Sequence, residues 1–197
     1  HASIFLGVGL GDDMPARIPG EELPGVWESL RFIETLKLCS TGVLQIGRRV
    51  AIIGGGNTAI DVAREAVMLR NMEVATSNTA VDVARQARML GAAEVMMLYR
   101  RSEAEMPAFA HEIAAAKREG VQIIPLVAPV AFEGTDRVTG VRCVRMKLGA
   151  PDASGRPRPE PIEGSEFVIE VDTAIKAIGQ KPHSELMKMF GVEMRGS

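Results

Sequence analysis

Apolar residues along this chain gather into short runs separated by helical stretches and turns. Ser3 to Gly9 reads as a strand ending in a glycine turn, Pro15 to Pro24 as a loop, and Val26 to Leu38 as a helix with Val26, Leu30, Ile33 and Leu36 or Leu38 at helical spacing. Val50 to Ile53 forms a hydrophobic strand that runs straight into glycines, and helical segments follow as far as Leu90. A strand at Glu94 to Tyr99, a helix at Ala108 to Arg118 closed by Gly120, and a strand at Val121 to Leu126 come next. Val130 to Glu133 and Val138 to Leu148 read as an antiparallel pair, Ala150 to Arg158 as a solvated hairpin tip, and Phe167 to Ile178 as further strand. Strands alternating with helices predict an α/β fold, a Rossmann-like parallel sheet with helices and right-handed crossovers. A small antiparallel β insert is expected to follow it.

The run Gly54-Gly55-Gly56-Asn57-Thr58-Ala59 between strand and helix carries the chemistry. Gly54 permits the tight turn, Gly56 lets backbone approach a pyrophosphate with no side chain between, and Ala59 allows close packing of helix on strand. The helix that follows offers its unpaired N–H groups and the positive end of its dipole to the phosphates.

Asn57 to Arg64 recurs almost unchanged as Asn78 to Arg85, so the chain carries a 21-residue tandem duplication near 57–98. Val74-Ala75-Thr76-Ser77 replaces the glycines before the second copy, which therefore cannot cradle a pyrophosphate. One phosphate site is expected. One long helix could absorb the copy, because six helical turns hold about 22 residues. The alternative, favoured here, is a break at Asn71 to Ala75, with Thr76-Ser77-Asn78 capping a new helix.

The end of the second strand sets the nucleotide preference. An acid there would bind the ribose 2′-hydroxyl of NAD. Tyr99-Arg100-Arg101-Ser102 instead offers two guanidinium groups and a hydroxyl to a 2′-phosphate, which points to NADPH. Glu73 lies nearer the usual spacing from Gly54 but opens its candidate strand, the wrong end for the ribose.

Composition narrows the class further. With 46% hydrophobic and 24% charged residues, 197 residues suffice for one sizeable core. A net charge of −2 argues against a nucleic-acid surface. Neither a membrane-length apolar run nor a signal-peptide pattern is present, and Cys39 and Cys143 stand apart without metal or redox spacing. A reducing, cytoplasmic setting is expected.

Together with Glu105-Met106-Pro107-Ala108, Glu119-Gly120-Val121, Thr139-Gly140-Val141, Gly149 to Arg156 and Ala177-Ile178-Gly179-Gln180-Lys181-Pro182, these motifs form an ordered set. It resembles the NADPH-binding domain of the glutamate synthase small (beta) subunit family of FAD/NAD(P)-dependent pyridine nucleotide oxidoreductases. Relatives include part of dihydropyrimidine dehydrogenase and flavoprotein subunits of ferredoxin-dependent transhydrogenases. The resemblance implies an NADPH domain inserted into an FAD domain, with electrons passing from NADPH to FAD, on to iron–sulfur clusters and to a possible large catalytic subunit. It makes 1–45 a remnant of the flanking FAD domain and linker, 46–178 the NAD(P)-binding domain and 179–197 the return segment. It also adds Ile178, Gly179 and Gln180 to the cofactor-binding residues. Neither a second glycine motif for FAD nor cluster-binding cysteines are found in the sequence, so the chain is read as an excised domain or a piece of a longer protein. Such a domain is expected to bind NADPH without completing electron transfer.

Hydride transfer between nicotinamide and flavin needs position and electrostatics rather than an acid–base residue from this domain. Accordingly no catalytic residue is assigned. His111, Glu103, Glu105, Lys117 and Arg118 read as surface positions, His183 as a loop residue, and Met68, Met72, Met89, Met96 and Met97 as core filling. Two other readings stay open: a binding or interaction module whose duplicated helix blocks the cofactor, and a disulfide reductase relative, disfavoured by the absence of a redox cysteine pair.

Overall fold

Strand β2 (Arg49–Ile53) is buried from Val50 to Ile53 and organises the molecule. Alternate residues of a strand face opposite sides. Val50 and Ile52 enter one hydrophobic core, Ala51 and Ile53 another, so the sheet is covered on both faces. A computed structural model describes residues 11–38, 46–75, 92–152 and 155–191, with 69–75 described by backbone alone.

In the main sheet β2 lies between β3 (Glu94–Tyr99) and β9 (Thr173–Lys176). β4 (Gln122–Pro125) flanks β3, and β1 (Val26–Glu28) flanks β9. All four pairings are parallel. Helices α1 (Ser29–Leu38), α2 (Asn57–Ala75) and α3 (Ala110–Glu119) cover one face through Phe32, Ile60, Val67 and Ile113. Ala59, Ala63 and Ala66 on the inner side of α2 are fully buried, and their small side chains let the helix lie close to the sheet.

An antiparallel sheet covers the opposite face. Its long strand β6 (Val138–Pro151) pairs with β5 (Val127–Gly134), β7 (Pro157–Pro161) and β8 (Phe167–Glu170). Val127, Phe132, Val141 and Cys143 pack from it against Ala51, Ile53, Met96 and Leu98. The molecule is thus an α/β fold with a parallel sheet and an antiparallel insert, as the alternation of elements predicts. A short helix α4 (Ser184–Met189) follows the last strand.

Four local expectations change in the structure. Val26 to Glu28 forms an edge strand rather than the first turn of a helix, because Val26 packs into the β-insert core while Trp27 joins the helical core. Phe167 to Ile178 divides between sheets: β8 belongs to the insert and β9 to the main sheet. The change occurs at Asp172, whose carboxylate accepts the Arg49 amide at 2.9 Å and whose own amide donates to Arg49 O at 2.9 Å. Helix α2 runs through Asn71 to Ala75, where the capping residues predict a break, so the first copy is continuous helix as far as it is described. The capping residues Thr76 to Asn78 and most of the second copy lie outside the described residues, as does the strand expected at Ser3 to Gly9. Finally, the Ala150 to Arg158 hairpin is anchored as well as solvated, by an arginine described below.

Two charged residues hold the loop before β1, one at the start of α1 and one at the sheet. Asp13 accepts hydrogen bonds from Ser29 Oγ at 2.7 Å and from the Leu30 amide at 2.8 Å, capping α1 from sixteen residues away. Lys176, only 5% exposed at the end of β9, donates to Glu21 at 3.3 Å. Burial pulls the Glu21 carboxyl pKa upward, but the Ala16 amide and the Lys176 ammonium outweigh that effect and lower it below its ordinary 4.5. A depressed carboxylate contributes stability that is complete above the unfolded value and is lost as pH falls through the folded one. Glu21→Gln should therefore lower stability by about 1–3 kcal/mol near pH 7, by leaving the lysine unpaired. In urea titrations its deficit against the parent should shrink as pH falls below 4.5; an equal deficit at pH 7 and pH 3 would contradict the pairing.

Candidate cofactor site

The turn after β2 lies where the carboxyl ends of β9, β2 and β3 meet. Gly54 adopts φ 147°, donates its amide to Leu98 O at 3.0 Å, and lies so close to Ala177 that a Cβ there would overlap its carbonyl oxygen. Gly55 rests on the Tyr99 ring, which an added Cβ would meet at 2.5 Å. Gly56 differs: the nearest atom to an added Cβ is Pro107 Cγ at 4.0 Å, so that direction opens outward. Gly56 O accepts the amides of Ala59 and Ile60 at 3.0 and 3.1 Å, starting α2, so that the amides of Gly56, Asn57 and Thr58 are the ones with no acceptor within the helix.

A loop beyond β3 braces this turn. Tyr99 Oη donates to Glu105 O at 2.9 Å, and Glu105 accepts both the amide and the hydroxyl of Ser102. The Ala108 amide donates to Gly55 O at 3.3 Å, and the Phe109 amide donates to Asn57 Oδ1 at 3.2 Å. The segment between β3 and α3 is therefore tied to the glycine turn at two points. Asn57 serves as one of those ties.

A cavity of about 640 Å³ opens on the glycine turn. Gly54, Gly55, Gly56 and Thr58 line it, with Arg100 and Arg101 also on its wall. Ile178, Gly179 and Gln180 line it from the segment after β9, and Asp13 from the loop beside it. Of the residues named from sequence, Asn57, Ala59 and Ser102 are not among its lining. Ala59 is buried beneath the turn, and the Ser102 hydroxyl is engaged by Glu105.

The two arginines have different surroundings. Arg100 is exposed on the cavity wall. Arg101 is 7% exposed, and its guanidinium turns to the β6–β7 hairpin, donating from Nε to Pro157 O at 3.0 Å and from Nη2 to Asp152 Oδ2 at 2.9 Å. Sequence reasoning did not find Asp13, Tyr99 or the hairpin partner of Arg101. Only Tyr99 had a local signal, as the last apolar residue of β3 facing the turn. Cys143 lies outside the cavity, and burial pushes its thiol pKa up to about 12. Cys39 lies outside the described residues. Among the described residues no group of three or more His, Cys, Asp or Glu is placed to hold a metal, and no helix is long and apolar enough to cross a membrane.

A glycine turn opening a helix at the carboxyl edge of a parallel sheet, beside a cavity, defines a dinucleotide-binding domain of Rossmann type. The chain belongs to the pyridine nucleotide-disulphide oxidoreductase family, which matches residues 2–197. It is 43% identical over 188 residues to the NADPH-Fe(3+) oxidoreductase subunit beta of Geobacter sulfurreducens, spanning 91% of this chain and 24% of that protein. The glutamate synthase [NADPH] small chain of Halomonas elongata is 38% identical over 203 residues, spanning 98% of this chain and 39% of that one. These relatives bear out the resemblance to the glutamate synthase small subunit family, and the chain spans well under half the length of each. Among solved structures, Mycobacterium tuberculosis FprA in complex with NADPH superposes with a TM-score of 0.69 at 19% identity, over 88% of this chain and 49% of that one. This likeness concerns the fold.

The glycines provide an internal control. Gly55→Ala drives a methyl into the Tyr99 ring and should destabilise the fold by about 1–3 kcal/mol. Gly56→Ala has room and should stay within about 0.5 kcal/mol of the parent in urea unfolding. If Gly56→Ala proves as destabilising as Gly55→Ala, the assigned geometry of the turn is wrong.

Proposed function

We propose that this chain is the NADPH-binding domain of a flavoprotein oxidoreductase similar to the glutamate synthase small subunit. The observation that carries the reading is the outward-open Gly56 at the start of the 19-residue helix α2, in the same cavity as exposed Arg100. Backbone amides of the turn and the first helical turn would hold the pyrophosphate. Arg100, at the end of β3, would pair with the 2′-phosphate that distinguishes NADPH from NADH. Arg101 and Ser102, named with it from sequence, would then support the wall on which Arg100 stands.

Ile178, Gly179 and Gln180 line the same cavity and would receive the nicotinamide half. Hydride transfer between nicotinamide and flavin is the chemistry those groups supply when bound. The residues here would orient the reduced ring and exclude water. The described residues hold one glycine turn of this kind and no metal-holding group, so FAD and iron–sulfur sites do not fit them. Those sites would belong to a flavin domain of the parent protein or to a partner such as a large catalytic subunit, in the cytoplasm.

The segments 11–14 and 179–181 run side by side in antiparallel fashion. The Met14 amide donates to Gly179 O at 2.8 Å, and the Lys181 amide donates to Asp12 O at 2.8 Å. In this reading they are the paired connections between the nucleotide domain, 46–178, and the flavin domain flanking it. By itself the chain should bind NADPH without reducing an acceptor.

Calorimetric titration of the 197-residue chain with NADPH and NADH tests the assignment. NADPH should bind at least tenfold more tightly than NADH, and Arg100→Ala should remove most of that preference while leaving NADH affinity unchanged. Absence of binding by either nucleotide would overturn the reading in favour of an interaction module whose duplicated segment obstructs the site.

A further inference from the structure

A nucleotide 2′-phosphate carries close to two negative charges near neutral pH, more than one guanidinium neutralises. Arg101 is badly placed to be the second cation: it is almost wholly buried, and its Nε and Nη2 are directed to the hairpin between β6 and β7. The same hairpin brings a third arginine to the cavity wall, the exposed Arg156.

Asp152 connects the two. Its Oδ2 accepts Arg101 Nη2 at 2.9 Å, while its Oδ1 accepts the backbone amide of Arg156 at 3.3 Å. The Asp152 amide donates to Arg156 O at 2.8 Å, and the Gly155 amide donates to Asp152 O at 2.9 Å, closing the turn at the hairpin tip. Arg101 also holds the opposite strand of the hairpin at Pro157 O, the residue next to Arg156. The backbone of Arg156 is thereby fixed relative to the end of β3, on which Arg100 stands.

Resting on the NADPH reading above, we propose that Arg156 is a specificity-determining residue that contacts the 2′-phosphate together with Arg100. Arg101 is a positioning residue that acts through Asp152 to hold Arg156 at the cavity. Recognition of the phosphate is then shared between the parallel sheet and the antiparallel insert. Arg156 lies on an exposed tip in a segment rich in Pro and Gly, so its replacement leaves both cores intact.

The test is a double-mutant cycle on the 197-residue chain, read by calorimetric titration with NADPH and with NADH. Arg156→Ala should weaken NADPH about tenfold and leave NADH unchanged, as expected for loss of one charge-assisted contact to a group that NADH lacks. Arg101→Ala should show the same selective loss, and Arg101→Ala/Arg156→Ala should lose no more than either single variant, because both changes remove one contact. NADH affinity reports whether a variant retains its fold. A parent chain that prefers NADPH and an Arg156→Ala variant that keeps the full preference would overturn this proposal and leave the NADPH assignment standing. Additive losses in the double variant would overturn the positioning role, because Arg101 would then act on the phosphate by itself. A parent chain that binds neither nucleotide would overturn both this proposal and the functional reading beneath it.

Discussion

The close passage of the glycine turn over the carboxyl ends of the central strands is the constraint on which this molecule depends. At Gly54 the chain leaves β2 pressed against the Ala177 carbonyl, with its amide bonded to β3 at Leu98 O. No side chain fits there, and φ of 147° disfavours any residue with a Cβ. This passage joins β9, β2 and β3 at one point and aims the start of α2 across it. The cavity follows from that arrangement.

Burial on both faces of the main sheet supports the passage. Strand β2 divides its four buried residues between a core of helices and a core of antiparallel strands. The insert therefore does more than decorate the domain, since Val127, Phe132 and Val141 supply the second cover for Ala51, Ile53 and Leu98. It also carries the hairpin that receives Arg101. Packing in one layer and polar contacts at the cavity wall are thus coupled through the same element.

Much of this was legible from local pattern. The strand Glu94–Tyr99 has the bounds its apolar run predicts, and α3 ends at Gly120 as its punctuation indicates. The glycine turn announces itself because strand, turn and helix are consecutive and the backbone requirement is local. Legibility failed where neighbours outside the segment decide. Val26 to Glu28 has helical spacing but becomes strand because β9 offers it a parallel edge. The Phe167 to Ile178 run reads as one strand, yet Asp172 binds the start of β2 and transfers the chain to another sheet.

The site shows the same division. The adjacent arginines Arg100 and Arg101 look equivalent in sequence, but successive positions at a strand end face different surroundings. Both border the cavity, but Arg100 is exposed there while the buried Arg101 turns its guanidinium to Asp152, fifty-one residues later. Similarly, Asp13 has no local sign of a helix cap, because Ser29 and Leu30 reach it only once the loop has folded back. Periodicity, glycine placement and the order of motifs determined the α/β class, the glycine turn and the family, because each depends on backbone geometry within a few residues. Tertiary structure alone decided which side chains face the cavity, which are consumed in holding it, and which sheet each apolar run joins, because those outcomes depend on contacts between residues far apart in the chain.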